Sequence, residues 1–374
     1  MPQKSAYELA GVDYSSMDPF KVACQKRAAR TMSAVTRFPF IEPVEASRGE
    51  SAYEFRIDKQ FRLGHVEEGL GTKNLVADAL RSSGKTYYDQ IAQDAVAMAV
   101  NDLTTLGIFP ISVQMHLAVG DSSWFKDDQR VSDLIEGWAK ACEMARAGWT
   151  GGETPTLLDI IIPGASLLSG SAVGVSLGEL IINPWTLSHG DAIILLEGTG
   201  IHANGLTLAR KIGKAHGYRS ELSDGRTFGE SLLDPTPIYC GFVEDCLRAG
   251  VDIHYAVNIT GHGFRKIMRD KHPYRYVIDK LPRPQPVFNF IKNCAPSTIG
   301  QAMSDKDMYG TFNMGAGYCL MVPQQHVKKL FDVLNSGSYG FGAINAGRVE
   351  GAEMKAVEIL PLGITFEGDT LKVR

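Results

Sequence analysis

Residues 89–107, DQIAQDAVAMAVNDLTTLG, constrain the fold more than any other stretch of this chain. Most of their side chains are apolar, so the segment predicts a helix that is buried on most of its surface. The helix nevertheless contains Asp94, Asn101 and Asp102. At about 100° per residue, Asp94 and Asn101 lie roughly 20° apart on one line, and Asp102 lies about 80° round from that line.

The polar line on this helix needs an explanation, because a carboxylate is costly to bury unless it is paired or binds a metal. Asp94 and Asn101 are separated by roughly 10 Å along the helix axis. That distance is too long for one compact ion but suits a polyphosphate with its metal ions. Structural salt bridges or helix caps are the alternative interpretation, and the segment alone leaves both open.

Size and composition limit the classes of function. A chain of 374 residues is long enough for two domains with substantial cores. A net charge of −4 without any basic block gives no reason to expect a nucleic-acid or membrane partner. The six cysteines form no CxxC pair, so we expect free thiols in a cytoplasmic protein.

Strand and helix patterns alternate along the whole chain, which predicts an α+β or α/β fold. We place a domain boundary between residues 178 and 179, giving domains of residues 1–178 and 179–374. Within them, residues 52–65 read as a strand, residues 220–233 as a loop, and residues 235–247 as a helix that starts at its two prolines.

Glycine-rich junctions between these elements are candidate ligand sites. After a predicted strand, Gly69, Gly71, Thr72 and Lys73 form a turn whose backbone N–H groups could cradle a phosphate. A plain hairpin bend is the alternative. A second junction holds His202, at a strand-to-helix boundary suited to anions, although a hydrogen-bonded turn histidine would look the same.

Taken in chain order, the junctions resemble the motifs of the phosphoribosylformylglycinamidine cyclo-ligase family, also called aminoimidazole ribonucleotide synthetases. The counterparts in this chain are as follows: YxxAGVD at residues 7–13, DGVGTK at 68–73, the buried acidic helix at 93–110, GGET at 151–154, SSGxHSNG at 199–205, LLxPTRIY at 232–239 and TFNMGxG at 311–317. Each fragment is short, but so many in one order make the resemblance specific.

The resemblance implies a two-domain fold. In it, an N-terminal domain gives strands to a barrel that spans a homodimer, and a C-terminal α/β domain covers the cleft. It also implies a reaction, in which formylglycinamidine ribonucleotide and ATP give aminoimidazole ribonucleotide, ADP and phosphate. ATP would phosphorylate the formyl amide oxygen, and an amidine nitrogen would then close the ring. ATP and Mg²⁺ are the implied cofactors, since phosphoryl transfer depends on positioning and charge neutralisation.

The resemblance also assigns residues to the nucleotide and the metal. Asp94 and Asp102 would handle Mg²⁺-ATP, with Asp94 counted as catalytic and Glu68 as a third metal ligand. The nucleotide would further contact Gly69, Gly71, Thr72, Lys73, Asn101 and Asp13.

A second group would contact the substrate: Glu153, Thr154, Asn204 and Gly205. His202 would be a catalytic proton carrier, because the unperturbed pKa of histidine lies near neutrality.

Several motif positions depart from the family pattern. Glu8 and Leu9 replace a Lys-Asp pair, Glu68 replaces an aspartate, and residues 155–159 replace AEMPG. His262 takes the place of a glycine, and Gly310 that of the arginine in MYRTFN.

Because these changes fall in loops expected to meet ligand, three hypotheses remain. The chain is a divergent cyclo-ligase, a paralogue that uses ATP on another small substrate, or a non-catalytic scaffold subunit.

Overall fold

The computed structural model describes residues 6–10, 14–58, 60–82, 84–176, 178 and 180–371. The first half of the chain forms a six-stranded sheet with the strand order β1-β2-β3-β6-β4-β5. Its strands are β1 Ile41–Pro43, β2 Tyr53–Ile57, β3 Phe61–Gly69, β4 Ile108–Val119, β5 Gly148–Glu153 and β6 Ser166–Ser176. Neighbouring strands are antiparallel, except that β5 runs parallel to β4 at the sheet edge.

The helices of this half are α1 Ala6–Ala10, α2 Tyr14–Ala29, α3 Asn74–Leu80, α4 Tyr88–Thr104 and α5 Asp128–Met144. Helix α4, the segment predicted from residues 89–107, lies between β3, β4 and β6 on one side and α5 on the other. Gly64 and Gly174 allow this close approach, because a Cβ atom on either would lie within 3 Å of a Leu103 methyl group. The prediction of a nearly fully buried helix is confirmed.

The second half forms a seven-stranded sheet with the order β13-β12-β9-β11-β7-β10-β8. Its strands are β7 Ala192–Glu197, β8 Tyr255–Asn258, β9 Tyr274–Ile278, β10 Ala316–Val322, β11 Ala343–Gly351, β12 Ala356–Ile359 and β13 Ile364–Glu367. Its helices are α6 Leu206–His216, α7 Phe228–Leu232, α8 Cys240–Arg248, α9 Pro286–Ile299, α10 Asp305–Tyr309 and α11 Val327–Ser336. With its mixed helices and sheets, the chain has the predicted fold class.

Some predicted elements are wrong in detail. The helix expected from residue 235 begins only at Cys240, because Pro235 and Pro237 each disfavour a helical conformation in the residue before them. The loop expected at residues 220–233 contains α7, whose first turn is closed by a capping box between Thr227 and Glu230. The strand region expected at residues 52–65 consists of two strands, β2 and β3, which pair as a hairpin.

The residues that the structure describes leave one face of the first sheet uncovered. In β3, Gly64 and Val66 are buried beneath the helices, whereas His65 and Glu67 point to the other face and are exposed. This alternation follows from the two-residue period of a strand. No described helix combines the length and the hydropathy needed to cross a lipid bilayer.

Candidate active site

A buried ion pair joins the glycine-rich turn to helix α4. The Lys73 ammonium lies 2.6 Å from Asp94 Oδ2, and neither side chain has any exposed surface. Burial raises the pKa of Asp94, and the Lys73 cation and the hydrogen bonds from Thr236 oppose that shift. Lys73 also donates to the carbonyl oxygen of Asp234, 2.7 Å away.

The same face of α4 binds residues 234–239, which we call the linking segment. The Thr236 backbone N–H donates to Asp94 Oδ1 at 2.9 Å, and its hydroxyl donates to the same oxygen. Asn101 donates to the Pro237 carbonyl oxygen and accepts from the Tyr239 N–H, both at 2.9 Å. The polar line predicted on α4 is therefore occupied by protein groups that lie far away in sequence.

Asp102 lies round the helix from that line and has different neighbours. Its Oδ1 accepts a hydrogen bond of 2.6 Å from the Asn258 amide at the end of β8. Glu68, near the end of β3, faces the same space. Burial raises the pKa of Glu68, and the Asp102 carboxylate raises it further, while Lys266 and Arg269 lower it. These contacts connect β3 and α4 of the first half of the chain to β8 of the second half.

Lys266 supplies a cation to this space from the 3-10 helix Gly263–Met268, directly after the turn at residues 260–263. Its ammonium donates to the Thr260 hydroxyl. In the described part of the chain, no carboxylate lies within 4.0 Å of that ammonium. Burial lowers the pKa of Lys266, and the Asp102 and Glu68 carboxylates oppose that shift. The sequence analysis did not single out Lys266, although a cation so soon after a glycine turn could have suggested it.

His262, which departs from the family pattern, connects this space to the N-terminal helix. Its backbone is left-handed, with φ of 72°. Its Nε2 atom lies 3.5 Å from Asp18 Oδ2 on α2. Burial and the nearby Arg265 and Lys266 cations lower the pKa of His262 to about 3, so that the ring is neutral at pH 7.

The glycine-rich turn exposes its two glycines to solvent, whereas Leu70 and Lys73 are buried. A Cβ atom on Gly69 or Gly71 would meet nothing within 4 Å, so the backbone there is accessible to a ligand. Gly71 has φ of 74°, a conformation that favours glycine. Thr72 is half-buried, and Lys73 points inward to Asp94.

The predicted His202 site lies inside the second half. His202 Nε2 accepts a hydrogen bond of 3.3 Å from the Thr199 N–H. Burial, and secondarily the Lys73 cation, lower the pKa of His202 to about 3. The ring is therefore neutral at pH 7, and the expectation of a pKa near neutrality does not hold.

Asn204 and Gly205 follow His202 at the start of α6. Asn204 is half-buried, and Gly205 has φ of 77°. A Cβ atom on Gly205 would lie 2.1 Å from the Phe312 ring, so this position has no space for a side chain.

Glu153 and Thr154 lie at the exposed edge of the first sheet. Glu153 on β5 pairs with His116 on β4, which pairs with Ser169 on β6, which in turn pairs with Gly69 on β3. Glu153 and Gly69 are therefore in the same row across the sheet. Glu68 is in the next row, and successive rows point to opposite faces of a sheet. The side chains of Glu68 and Glu153 therefore belong to opposite faces.

The structure brings together only part of the predicted set. Glu68 and Asp102 share one space, whereas Asp94 is held by Lys73 and Thr236, and Asn101 by the linking segment. Among the described residues, no three histidine, cysteine, aspartate or glutamate side chains gather as a metal site. Asp13 lies outside the described residues.

Comparison with protein families bears on this arrangement. Models described as "AIR synthase related protein, N-terminal domain" and "AIR synthase related protein, C-terminal domain" match residues 50–176 and 188–359. The chain belongs to the AIR synthase related family. The fold described above thus contains both domains of that family.

Curated relatives of this family agree with the resemblance. The phosphoribosylformylglycinamidine cyclo-ligase of Methanocaldococcus jannaschii is 34% identical over 350 residues, which cover 92% of this chain and 91% of that protein. A protein of the same name from Rippkaea orientalis is 33% identical over 293 residues, covering 76% of this chain and 81% of that protein. The predicted family and enzyme class are confirmed by these relatives.

Solved structures share the fold at lower sequence identity. Hydrogenase maturation protein HypE in complex with ATP has a TM-score of 0.56 and 17% identity, over 83% of this chain and 87% of that chain. T. maritima PurL complexed with ADP has a TM-score of 0.55 and 12% identity, over 87% of this chain and 46% of that chain. At such identities the similarity shows the fold alone.

Proposed function

We propose that this protein catalyses the ATP-dependent ring closure of formylglycinamidine ribonucleotide to aminoimidazole ribonucleotide, a step of purine biosynthesis. The observation that carries the proposal is the match to cyclo-ligases across both family domains, with 34% identity over 92% of the chain. The site also supports the proposal. Glu68, Asp102 and Lys266 lie near one another beside an accessible glycine turn, an arrangement that suits phosphoryl transfer.

In the proposed reaction, the formyl amide oxygen attacks the γ-phosphorus of ATP and ADP leaves. An amidine nitrogen then attacks the activated carbon, the C–O bond to phosphate breaks, and a proton is lost as the ring closes. Such chemistry needs charge neutralisation and alignment more than a nucleophilic side chain. The chain offers backbone N–H groups near Gly69 and Gly71, and cations from Lys266 and Arg269, for the phosphates.

The donor set of Glu68 and Asp102 suits Mg²⁺, which is often held by one or two carboxylates together with phosphate oxygens. Bound there, Mg²⁺ would neutralise charge on the nucleotide phosphates. We assign Asp94 and Lys73 a positioning role, since their contacts with each other and with the linking segment fix the end of the glycine turn. ATP binding is further supported by the nucleotide complexes of the two structures that share the fold.

The remaining predicted residues keep supporting roles in the proposal. Glu153 and Thr154 would contact substrate at the edge of the first sheet, and Asn204 and Gly205 would do so at the start of α6. His202 would act as a neutral ring that positions Thr199. Asn101 would hold the linking segment near the nucleotide, and Asp13 remains a predicted nucleotide contact.

We further propose a homodimer in which a second copy covers the open face of the first sheet, with a domain boundary near residue 178. Leu167 on that face is 48% exposed, and Phe61 is 47% exposed. The two side chains lie toward opposite ends of this face, and exposed apolar side chains on a sheet face favour association. Analytical ultracentrifugation should give twice the monomer mass, and Leu167→Asp should reduce it to the monomer mass.

The activity is tested by incubating purified protein with formylglycinamidine ribonucleotide and Mg²⁺-ATP. We expect phosphate release and a diazotisable aminoimidazole in equal amounts, both lost in Asp102→Asn and both kept in the surface variant Lys328→Gln. ATP binding without ring product would favour the paralogue. If neither ligand raises the melting temperature, the scaffold hypothesis gains, because a ligand that binds only the native state must stabilise it.

A further inference from the structure

Lys266 has no carboxylate within 4.0 Å of its ammonium among the described residues, unlike the two other lysines near the candidate site. Lys21 lies 3.6 Å from Asp18, and Lys73 lies 2.6 Å from Asp94. The Arg269 guanidinium donates to the Gly49 carbonyl oxygen and the Ser51 hydroxyl. The ammonium of Lys266 is bonded only to a neutral hydroxyl among the described residues, although it has three N–H donors.

The surroundings of Lys266 favour a ligand that brings both negative charge and a counter-ion. The Asp102 and Glu68 carboxylates are near enough to act on the ammonium, yet among the described residues neither lies within 4.0 Å of it. A half-buried cation without a direct partner retains a desolvation cost that an anion would remove. A polyphosphate with its divalent cation satisfies the lysine and the two carboxylates together.

The departure at position 310 gives an independent reason for a cation here. The family pattern has an arginine there, but this chain has Gly310, and the Arg265 guanidinium donates to the Gly310 carbonyl oxygen at 2.6 Å. A Cβ atom on Gly310 would lie 3.0 Å from the Lys306 carbonyl oxygen and 3.2 Å from the Phe366 ring, so the position is crowded. The turn that carries Arg265 and Lys266 thus lies against the position where the expected cation is missing.

We propose that Lys266 binds the terminal phosphate of ATP and replaces the cation that the family pattern places at position 310. The ammonium donates to a γ-phosphate oxygen and keeps its bond to Thr260. It makes little contact with the α- and β-phosphates, which lie at the backbone of the glycine turn. This inference rests on the proposed function only in taking ATP as the ligand.

The experiment compares two nucleotides that differ in the terminal phosphate. Isothermal titration calorimetry with Mg²⁺ is used on the full chain with AMPPCP, a non-hydrolysable ATP analogue, and with ADP. Lys266→Gln, which keeps a donor for Thr260, should weaken AMPPCP binding by about ten- to a hundredfold and ADP binding by less than about threefold. Lys266→Arg should recover most of the lost affinity, and Lys328→Gln should behave as the unmodified protein.

An equal loss for ADP and AMPPCP, or no loss for either, would overturn the proposal. The unmodified protein gives a second measurement that does not depend on a variant that folds. AMPPCP, but not ADP, should protect Lys266 from acetylation, measured by peptide mass spectrometry with Lys328 as the internal reference. Equal acetylation of Lys266 with either nucleotide would contradict the proposal.

The outcomes separate this inference from the proposed function. If the unmodified protein forms aminoimidazole but Lys266→Gln binds AMPPCP as tightly, the inference alone fails. If AMPPCP binding depends on Lys266 but no ring product forms, the proposed substrate fails and the inference holds.

Discussion

Helix α4 carries two groups of buried polar side chains that differ in which partners satisfy their hydrogen bonds and charges. On one line, Asp94 and Asn101 are fully buried and their hydrogen bonds end on Lys73 and the linking segment. Round the helix, Asp102 is slightly exposed and shares its space with Glu68 and Lys266. The first group is satisfied by the protein itself, whereas the second retains capacity for a ligand.

The difference shows how a buried acid should be interpreted. Burial alone demands compensation but does not say whether the chain or a ligand provides it. At Asp94 the chain provides a cation and two donors from Thr236, so we expect this carboxylate to contribute to the stability of the fold. At Asp102 the chain provides one amide, and among the described residues no ion pair of 4.0 Å or less involves Asp102, Glu68 or Lys266.

The largest expected effect is on the line that contains Asp94. Asp94→Asn leaves the buried Lys73 ammonium without its anion and should lower the free energy of unfolding by about 3–5 kcal/mol. Urea denaturation followed by circular dichroism measures this change. The matched control is Asp332→Asn, which breaks an exposed pair with Lys328 at 2.7 Å and should cost less than about 1 kcal/mol. Similar losses in both variants would contradict the structural role of Asp94.

Asn101→Ala should have the next largest effect. It removes both bonds to the linking segment and leaves the Pro237 carbonyl and the Tyr239 N–H unpaired in the interior, at a cost of about 1–3 kcal/mol. Gln93→Ala, which removes a single bond from a half-buried residue to the Thr236 carbonyl oxygen, should cost less. The comparison uses the same denaturation measurement, and a larger loss at Gln93 would reverse the expected order.

The lowered pKa of the buried His202 should make the free energy of unfolding depend on pH. Its folded-state pKa of about 3 lies below the unfolded value of 6.5, so the unfolded chain takes up the proton first as the pH falls. This contribution to stability is complete above pH 6.5 and is lost progressively toward pH 3. Between pH 7 and pH 5 the contribution of His202 should fall by about 2 kcal/mol, in addition to a similar loss from His262, whose pKa is lowered in the same way. His202→Gln should remove the contribution of His202, and His216→Gln at an exposed site should not.

The smallest effect on stability is expected at Asp102. Asp102→Asn keeps a partner for Asn258, so the free energy of unfolding should fall by less than about 1 kcal/mol. The increase in melting temperature on adding Mg²⁺ and AMPPCP should nevertheless be much reduced. Asp102→Asn could instead destabilise the protein as strongly as Asp94→Asn and still bind nucleotide normally. That result would contradict the assignment of Asp102 to a ligand site and of Asp94 to the fold.

Much of the fold follows from local sequence, and much of the site does not. The apolar period of α4 identified a buried helix without reference to the rest of the chain. The partner of Asp94 could not be found in that way, because Thr236 lies 142 positions further along. The register that sends Glu68 and Glu153 to opposite faces likewise depends on which strands pair.

The cation at Lys266 illustrates the same limit. The nearby His262 stands where the family pattern has a glycine, which drew attention to this turn, but the proximity of Lys266 to Asp102 and Glu68 exists only after the two sheets meet. The resemblance assigned Glu68 and Asp102 to one metal site, and in the structure the two carboxylates are near enough to influence each other. It could not show that Asp94, two turns earlier on the same helix, is held by the linking segment instead.

The linking segment has a consequence for dissecting the protein. A fragment ending near residue 178 would retain Lys73, Asp94 and Asn101 but lose Thr236 and the other groups that complete them. If this fragment were expressed alone, the polar side chains of α4 that normally bind the linking segment would face water or non-native partners. The two family domains are therefore expected to be poor autonomous modules here, and recombination that exchanges one half should succeed only when the segment at residues 234–239 remains compatible with α4.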